Sequence, residues 1–170
     1  GESVNKKQNH TNNAFSEKWK IYSEEEIAEQ EKLFEFQKKW FLKLYGFESE
    51  ETLAIHLQKY DWILDAGCGL GYKSAWFASL APKSKIIGID FSLASQIAYK
   101  KYNQDYKNLI FAIGDIASTE IPDSFIGLTV CDQVIMHTMD PKLTLKELAR
   151  ITSANGEVCC YWYKKKALPR

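Results

Sequence analysis

The stretch WILDAGCGLGYKS, residues 62–74, joins a buried-strand pattern to a glycine-rich turn. Asp65 stands two positions before three alternating glycines, Gly67, Gly69 and Gly71. Glycine accepts positive φ angles, and because it lacks a Cβ it lets main chain approach a ligand closely. A strand, a glycine turn and a helix in this order predict a ligand-binding loop at the end of a strand.

Short apolar runs alternate with helical patterns after residue 60. The runs are WILDAG (62–67), SKIIGID (84–90), NLIFAI (108–113), GLTVCDQVIM (127–136) and GEVCCYWY (156–163). The helical patterns are YKSAWFASLA (72–81), SLASQIAYKKYNQ (92–104) and PKLTLKELARITS (141–153), the last closing at Asn155-Gly156. This alternation predicts an α/β fold with a doubly wound, mostly parallel sheet. Ligands of such sheets bind at the carboxyl ends of the strands, near the switch point.

The N-terminal part divides into a tail and a helical cap. Residues 1–14 are polar and without periodicity, which predicts a disordered tail. A capping box of Ser23 and Glu26 opens an aromatic helix that runs to Gly46, and a second helix starts near Ser49. We interpret the aromatic helix as core or lid rather than as a membrane-surface helix. The expected organisation is a cap over 15–60 and one α/β domain over 61–170.

The charge balance and the cysteine pattern argue against several classes of partner and site. Basic and acidic residues balance at 22 each, so general attraction to nucleic acid or to an anionic membrane is not expected. The polar start resembles no signal peptide, and no apolar run is long enough to span a bilayer. The four cysteines form no C-x-x-C pair and have no histidine at zinc spacing, so we expect reduced thiols and no metal site. A cytoplasmic location follows as the expectation.

Two further carboxylates stand at predicted strand ends. Asp90 closes the second run, and Asp115 follows the third. An acidic side chain at the position of Asp90 can accept hydrogen bonds from both hydroxyls of a ribose. With Asp65, these groups favour an adenosine-containing ligand without phosphates, although each aspartate could instead cap a helix or make a turn.

A dinucleotide site is the less favoured interpretation of the same loop. The fingerprint G-x-G-x-x-G requires a glycine at position 72, where Tyr72 stands. The Asp65 carboxylate would also repel a pyrophosphate. A nicotinamide-dependent oxidoreductase therefore remains a minor alternative.

Four segments together carry a family resemblance. ILDAGCGLG (63–71), IIGIDFS (86–92), FAIGDI (111–116) and DSFIGLTVCDQVIMHTMDP (123–141) resemble the successive motifs of class I S-adenosylmethionine-dependent methyltransferases. Their order and spacing are also similar, from about residue 60 to residue 163. The resemblance implies a Rossmann-like core and S-adenosylmethionine as the cofactor.

The resemblance also implies roles for individual residues. The loop would cradle the methionine part of the cofactor, with the Asp65 carboxylate near its ammonium group. Asp90 would hold the ribose hydroxyls, Phe91 would pack on the adenine, and Asp115 with the main chain of Ile116 would read the adenine edge. Asp132 and Gln133 match the end of the fourth strand, where the family lines the methyl-transfer chamber. The implied cofactor-binding set is Asp65, Ala66, Gly67, Cys68, Gly69, Gly71, Asp90, Phe91, Ser92, Asp115, Ile116, Asp132, Gln133 and Trp19.

Trp19 enters this set through a separate segment. FSEKWKIY (15–22) is similar to an F-x-x-x-W-x-x-Y/F segment that precedes the domain in some family members. There the aromatic residues help to close the site, which would put Phe15, Trp19 and Tyr22 over the cofactor.

His137 is the candidate catalytic residue. It follows the fourth run in MHTMDP, and a neutral imidazole can take a proton from a hydroxyl acceptor near pH 7. The alternative is a histidine that bonds main chain or shapes the pocket.

One departure from the family concerns the end of the sheet. The family usually adds two last strands as a hairpin beside strand five, whereas this sequence stops shortly after GEVCCYWY. We expect either a piece of a longer enzyme or an apolar edge strand that pairs two copies as a homodimer.

The favoured function is a methyltransferase that acts on a small molecule, at an oxygen or carbon centre. No basic and aromatic stripe suggests nucleic acid, and no asparagine-proline-proline-aromatic signature of amide-nitrogen methylation is present. The alternative from another class is a non-catalytic domain that binds S-adenosylmethionine or serves as a scaffold.

Overall fold

The computed structural model describes residues 24–163. Along the chain lie α1 (Glu24–Tyr45), α2 (Glu50–Leu57), β1 (Trp62–Ala66), α3 (Tyr72–Leu80), β2 (Lys85–Asp90), α4 (Ala94–Tyr102), β3 (Leu109–Ile113), β4 (Ile126–Asp132), a 3-10 turn (Ile135–His137), α5 (Pro141–Ile151) and β5 (Thr152–Tyr161). The predicted tail (1–14), Ser23 and the aromatic segment 15–22 lie outside the described residues.

The five described strands form one parallel sheet in the order β3-β2-β1-β4-β5. The chain runs outward from β1 to β3, returns to the centre for β4 and ends at the other edge with β5. The switch point is therefore the gap between the carboxyl ends of β1 and β4. The predicted α/β doubly wound sheet is confirmed.

Side chains of the central strand enter two cores, one on each face of the sheet. Ile63 joins a cluster with Phe41, Phe77 and other residues of α1, α2 and α3. Its neighbour Leu64 points the other way, into a cluster with residues of α5 such as Leu148. This alternation buries β1 on both faces, which explains why the strand is apolar except for Asp65 near its carboxyl end.

Helix α1 packs its aromatic side chains on α3. The Phe41 ring lies 5.6 Å from the rings of both Trp76 and Phe77, and Phe34 stacks on Tyr72 at 5.3 Å. The opposite face of α1 exposes Leu33, Phe36 and Trp40. Only one face of the aromatic helix is therefore core, and Leu33 and Trp40 lie outside it.

A Schellman turn ends α1 where the glycine pattern predicted. The amide of Phe47 donates to the Leu42 carbonyl at 2.8 Å, and that of Gly46 donates to Lys43 at 3.4 Å. Gly46 adopts a φ of 77°, which glycine accepts most readily. The helix therefore ends directly at Tyr45, whose ring packs on Phe41 at 4.6 Å.

Helix α2 starts at the predicted place and spans eight residues. Ser49 and Thr52 exchange side-chain to main-chain hydrogen bonds of 3.2 and 3.0 Å, which makes a capping box. The helix ends at Leu57, so Tyr60 follows it rather than belonging to it.

The ends of β4 and α5 differ from the prediction. Strand β4 stops at Asp132, because Gln133 takes a φ of 58° that breaks the extended backbone. Helix α5 ends at Ile151 and β5 begins at once with Thr152, whereas the predicted strand began at Gly156.

A bulge explains the early start of β5. Ile126 pairs with Thr152 but Leu128 pairs with Glu157, so β5 has extra residues between two ladder segments. Asn155 and Gly156, where the helical pattern was expected to close, lie inside the strand instead of before it.

The cysteines are free, as expected from their spacing. Cys68 and Cys131 are buried, whereas Cys159 and Cys160 on β5 are only partly covered. None of the helices within residues 24–163 combines the length and the apolar character needed to cross a membrane.

A pair of alanine substitutions separates two reasons for a glycine in this fold, a positive φ angle and a lack of space for a Cβ. Gly67 and Gly46 have nearly the same φ, 78° and 77°. A Cβ on Gly67 would come within 2.5 Å of the Val134 side chain, whereas one on Gly46 would meet nothing within 4 Å. We expect Gly46→Ala to lower the free energy of unfolding by about 1 kcal/mol through backbone strain alone. Gly67→Ala should lower it by about 2–4 kcal/mol, since overpacking adds to that strain.

Urea unfolding of both variants measures the difference. Equal losses would mean that Val134 moves aside freely and that the turn does not depend on close packing there.

Candidate functional site

A cleft lies at the switch point, between α1 and the loop that joins β1 to α3. Its volume is about 240 Å³. Its walls combine aromatic rings, amides, loop main chain and one pair of opposite charges: Gln30, Phe34, Gln37, Phe41, Cys68, Gly69, Leu70, Tyr72, Lys73, Trp76, Asp132 and Gln133. The predicted site residues Cys68, Gly69, Asp132 and Gln133 are thus brought together.

Asp65 lies beneath the loop and is not among the residues that line the cleft. The residue is only 1% exposed, and one carboxylate oxygen accepts a hydrogen bond of 2.6 Å from the Ser74 hydroxyl. Burial raises the pKa of the Asp65 carboxyl, while the Lys73 charge and the Ser74 bond act in the opposite direction. The side chain therefore ties the end of β1 to the first turn of α3.

The glycines shape the loop through packing within the protein. The amides of Gly67 and Cys68 both donate to the Ile89 carbonyl, at 2.7 and 2.9 Å, and this bonds the loop to the end of β2. The space that a Cβ would fill at Gly71 is taken by Phe111 and Ala98. At Gly67 and Gly71 the main chain is therefore approached closely by side chains of the protein itself.

Asp90 closes the loop on its β2 side. One oxygen accepts from the Gly69 amide at 3.0 Å, and the other accepts from the amide and hydroxyl of Ser92 at 2.9 and 2.6 Å. A carboxylate offers about four acceptor positions, so Asp90 keeps capacity for hydroxyl donors of a ligand. Ser92 also accepts from the Ala94 amide, which places the start of α4.

The residues after β3 lie at the far side of β2. Asp115 is exposed, and its carboxylate accepts from the Ala117 amide at 2.9 Å, as an aspartate does when it makes a turn. Ile116 is buried in the same core as Leu64, and Phe91 is half-buried.

Asp132 is held by two side chains that the sequence analysis did not select. The Tyr45 hydroxyl donates to one oxygen at 2.9 Å, and the Lys73 ammonium lies 3.2 Å from the other. Burial, and then the Asp132 charge, raise the pKa of the Tyr45 phenol, so it stays protonated and donates. Lys73 directly follows the glycine loop and could have been noticed there. Tyr45 is 87 positions from Asp132 and carries no local signal.

The remaining predicted residues lie apart from this cleft. His137 ends the 3-10 turn, is exposed and is not among the lining residues. Ala66, at the end of β1, is buried in the core with Leu64. Trp19 lies outside the described residues.

Comparison with known proteins identifies the family. A family described as a methyltransferase domain matches residues 57–169, two thirds of the chain. The chain belongs to this methyltransferase family. Its relatives include S-adenosylmethionine-dependent methyltransferases, so membership implies S-adenosylmethionine as the cofactor.

Two relatives show the extent of the similarity. An uncharacterized methyltransferase of Schizosaccharomyces pombe is 30% identical over 71% of this chain and 48% of its own length. A malonyl-[acyl-carrier protein] O-methyltransferase of Bacillus anthracis is 31% identical over 55% of this chain and 34% of its own. The chain thus spans less than half the length of either relative.

Solved structures agree on the fold. A methyltransferase from Aquifex aeolicus superposes with a TM-score of 0.59 at 19% identity, over 71% of this chain and 69% of its own. A protein from Haloferax volcanii, solved in complex with the Trm112 methyltransferase activator, gives 0.55 at 25% identity, over 65% of this chain and 50% of its own. The methyltransferase core is therefore shared with proteins whose sequences are only 19–25% identical to this chain.

The burial of Asp65 predicts a pH dependence of stability. Its pKa in the folded chain lies above the ordinary value of 3.8, so the folded state holds this proton more tightly than the unfolded state. Its contribution to the free energy of unfolding is then fully present below pH 3.8 and is lost as pH rises through the folded pKa. We expect Asp65→Asn, which does not titrate, to become more stable relative to the parent chain as pH rises from about 4.

Denaturant unfolding of parent and variant across pH measures this difference. A difference that stayed constant with pH would show that Asp65 ionises in the folded chain as it does in the unfolded one.

Proposed function

We propose that this chain binds S-adenosylmethionine in the cleft at the switch point and transfers its methyl group to a small-molecule acceptor. The observation that carries the proposal is the loop at the end of β1, with the Asp90 carboxylate on one side and the Asp132–Lys73 ion pair on the other. A ligand with a ribose at one end and charged groups at the other matches this arrangement.

The residues fit that cofactor better than they fit a dinucleotide. Asp65 sits directly under the loop, and Asp90 and Asp132 stand on its two sides. Among the described residues that line the cleft, Lys73 is the one cation, and it is paired with the Asp132 carboxylate. A pyrophosphate would meet repulsion from these carboxylates. Loop main chain and aromatic side chains can instead enclose a ligand that carries positive charge.

The cofactor supplies an activated methyl group on a sulfonium, so the protein needs little covalent chemistry. The contribution of this chain would be to bind, to align the acceptor and to exclude water. Phe34, Phe41 and Trp76 form an apolar wall suited to the last of these tasks.

An oxygen centre is the acceptor that the relatives favour. The Bacillus anthracis protein is an O-methyltransferase, and other relatives carry the same description. We propose an oxygen centre first and a carbon centre second.

Non-catalytic binding is the second candidate function. The fold alone does not fix methyl transfer, because the structural neighbours include the [4+2]-cyclase SpnF, which matches with a TM-score of 0.54 at 20% identity and is described by another activity. Turnover with any acceptor would exclude the binding-only function.

Strand β5 is the place where further protein could attach. Within residues 24–163 it pairs only with β4, and it exposes Val158 beside Trp162 and Tyr163. We propose that this edge is covered by more of a longer protein or by a second copy. Sedimentation of the 170-residue chain distinguishes the two, since a second copy gives a dimer.

Calorimetric titration tests the proposed cofactor site. We expect S-adenosylmethionine and S-adenosylhomocysteine to bind and NAD not to bind. Asp90→Ala should weaken binding by about 1–3 kcal/mol, because hydrogen bonds to a charged group are lost. Asp105→Ala removes an exposed carboxylate in the loop after α4 and should leave the affinity unchanged, which makes it the matched control.

Unchanged affinity in Asp90→Ala would remove the ribose assignment. Binding of NAD in place of the two adenosyl ligands would favour the oxidoreductase interpretation.

His137 is proposed as a base only for a hydroxyl acceptor. His137→Ala should then slow turnover by about 10²- to 10⁴-fold, with unchanged affinity for S-adenosylhomocysteine. Rates are measured as methyl transfer once an acceptor is found. Equal rates would make the exposed imidazole a bystander.

A further inference from the structure

Two cysteines lie opposite each other on neighbouring strands of the sheet. Cys131 of β4 and Cys160 of β5 are register partners in the parallel ladder. Their side chains enter the same core, in which Cys131 is fully buried and Cys160 is partly buried at its border. Neighbouring strands lie about 4.8 Å apart, within the range of Cα separations that a disulfide spans. The two thiols are free, and they are placed to react with each other.

Cys159, the neighbour of Cys160, does not share this position. Side chains alternate along a strand, so Cys159 points to the other face of β5 and packs against the cluster that contains Phe41. Its partner in the ladder is Val130. All four cysteines lie within residues 24–163, and in that range the pairing of the strands brings together only Cys131 and Cys160.

The two thiols differ in reactivity. A hydrogen bond with Cys131 lowers the pKa of the Cys160 thiol, against the opposing effects of burial and of the Asp132 charge. The same hydrogen bond, together with burial, raises the pKa of the Cys131 thiol. The thiolate is the reactive form of a cysteine, and Cys160 is also the less buried of the two. An oxidant therefore reacts first with Cys160, and Cys131 is the thiol that attacks the oxidised product.

We propose that Cys131 and Cys160 are a redox-sensitive pair that a hydroperoxide closes to a disulfide, and that closure weakens ligand binding in the cleft. With hydrogen peroxide, the Cys160 thiolate attacks one oxygen, the O–O bond breaks, and a sulfenic acid and hydroxide form. The proton that Cys160 gave up converts the hydroxide to water. The Cys131 sulfur then displaces the sulfenic hydroxyl, which leaves as a second water with the Cys131 proton. The two thiols lose two electrons, and the peroxide takes them up.

Closure acts on the cleft through Asp132, the residue after Cys131. A disulfide holds its Cβ atoms about 3.8 Å apart, closer than the spacing of about 4.8 Å between strands, so the end of β4 must move toward β5. The Asp132 carboxylate accepts from the Tyr45 hydroxyl at 2.9 Å and lies 3.2 Å from the Lys73 ammonium, and this movement misaligns both contacts. A strained disulfide is also easily reduced, which makes the change reversible. The effect on binding rests on the proposed function, whereas the disulfide itself does not.

Hydrogen peroxide added to the 170-residue chain tests for the disulfide. We expect two of the four thiols to disappear from a thiol count and to return after treatment with dithiothreitol. Trypsin cleaves between Cys131 and Cys160, so mass spectrometry of the unreduced chain should find their two peptides joined. Cys160→Ser should abolish the link. Cys159→Ser removes a partly covered thiol from the other face of the same strand, and this matched control should retain the link.

Calorimetric titration with S-adenosylhomocysteine tests the consequence for the cleft. We expect the peroxide-treated parent chain to bind about 3- to 10-fold more weakly than the reduced chain, as when one hydrogen bond is misaligned. Dithiothreitol should restore the affinity. Cys160→Ser should bind as the reduced parent chain does, before and after peroxide, whereas Cys159→Ser should lose affinity as the parent chain does.

The other outcomes each overturn a stated part. Four thiols remaining after peroxide, or loss of the link in Cys159→Ser, would show that Cys131 and Cys160 only fill the core. A disulfide that leaves the affinity unchanged, or a loss of affinity that persists in Cys160→Ser, would overturn the effect on the cleft. A reduced chain that binds no S-adenosylhomocysteine would overturn the proposed function, and the thiol count would still decide whether the pair closes.

Discussion

The hydrogen bond from the Ser74 hydroxyl to the buried Asp65 carboxylate joins the end of the central strand to the first turn of α3. A carboxylate taken out of water requires such partners, and the backbone between the two residues must then turn within a few positions. Only a glycine-rich segment can do so, since Gly67, Gly69 and Gly71 all adopt positive φ angles. The loop and the cleft above it follow from this one constraint.

The burial of Asp65 also determines which carboxylates remain beside the cleft. With Asp65 kept below the loop, the carboxylates left beside it are Asp90 at the end of β2 and Asp132 at the end of β4. Parallel strands bring these ends to one edge of the sheet. Asp90 is restrained by main-chain amides and Asp132 by side chains, so the two ends of the cleft differ in chemistry.

The sequence was sufficient for features that depend on local pattern. Strand alternation, the glycine loop, the Ser49 cap and the aspartates at strand ends are each visible within a few residues. It was insufficient where distant segments meet: nothing near Tyr45 indicates that its hydroxyl reaches Asp132. The bulge in β5 was also missed, because Asn-Gly is a typical turn sequence and the pairing with β4 that places it inside the strand involves distant residues.

Helix α1 ends at Tyr45 in a Schellman turn, and it lies outside the matched domain. The family match begins at residue 57, whereas the cleft is also lined by residues of α1 that precede it. A domain trimmed to the matched segment would keep every family motif and lose an entire wall. Conversely, exchange of this single helix would alter what the cleft accepts while the sheet and the glycine loop stayed as they are, so ligand choice can diverge without any change in the sheet.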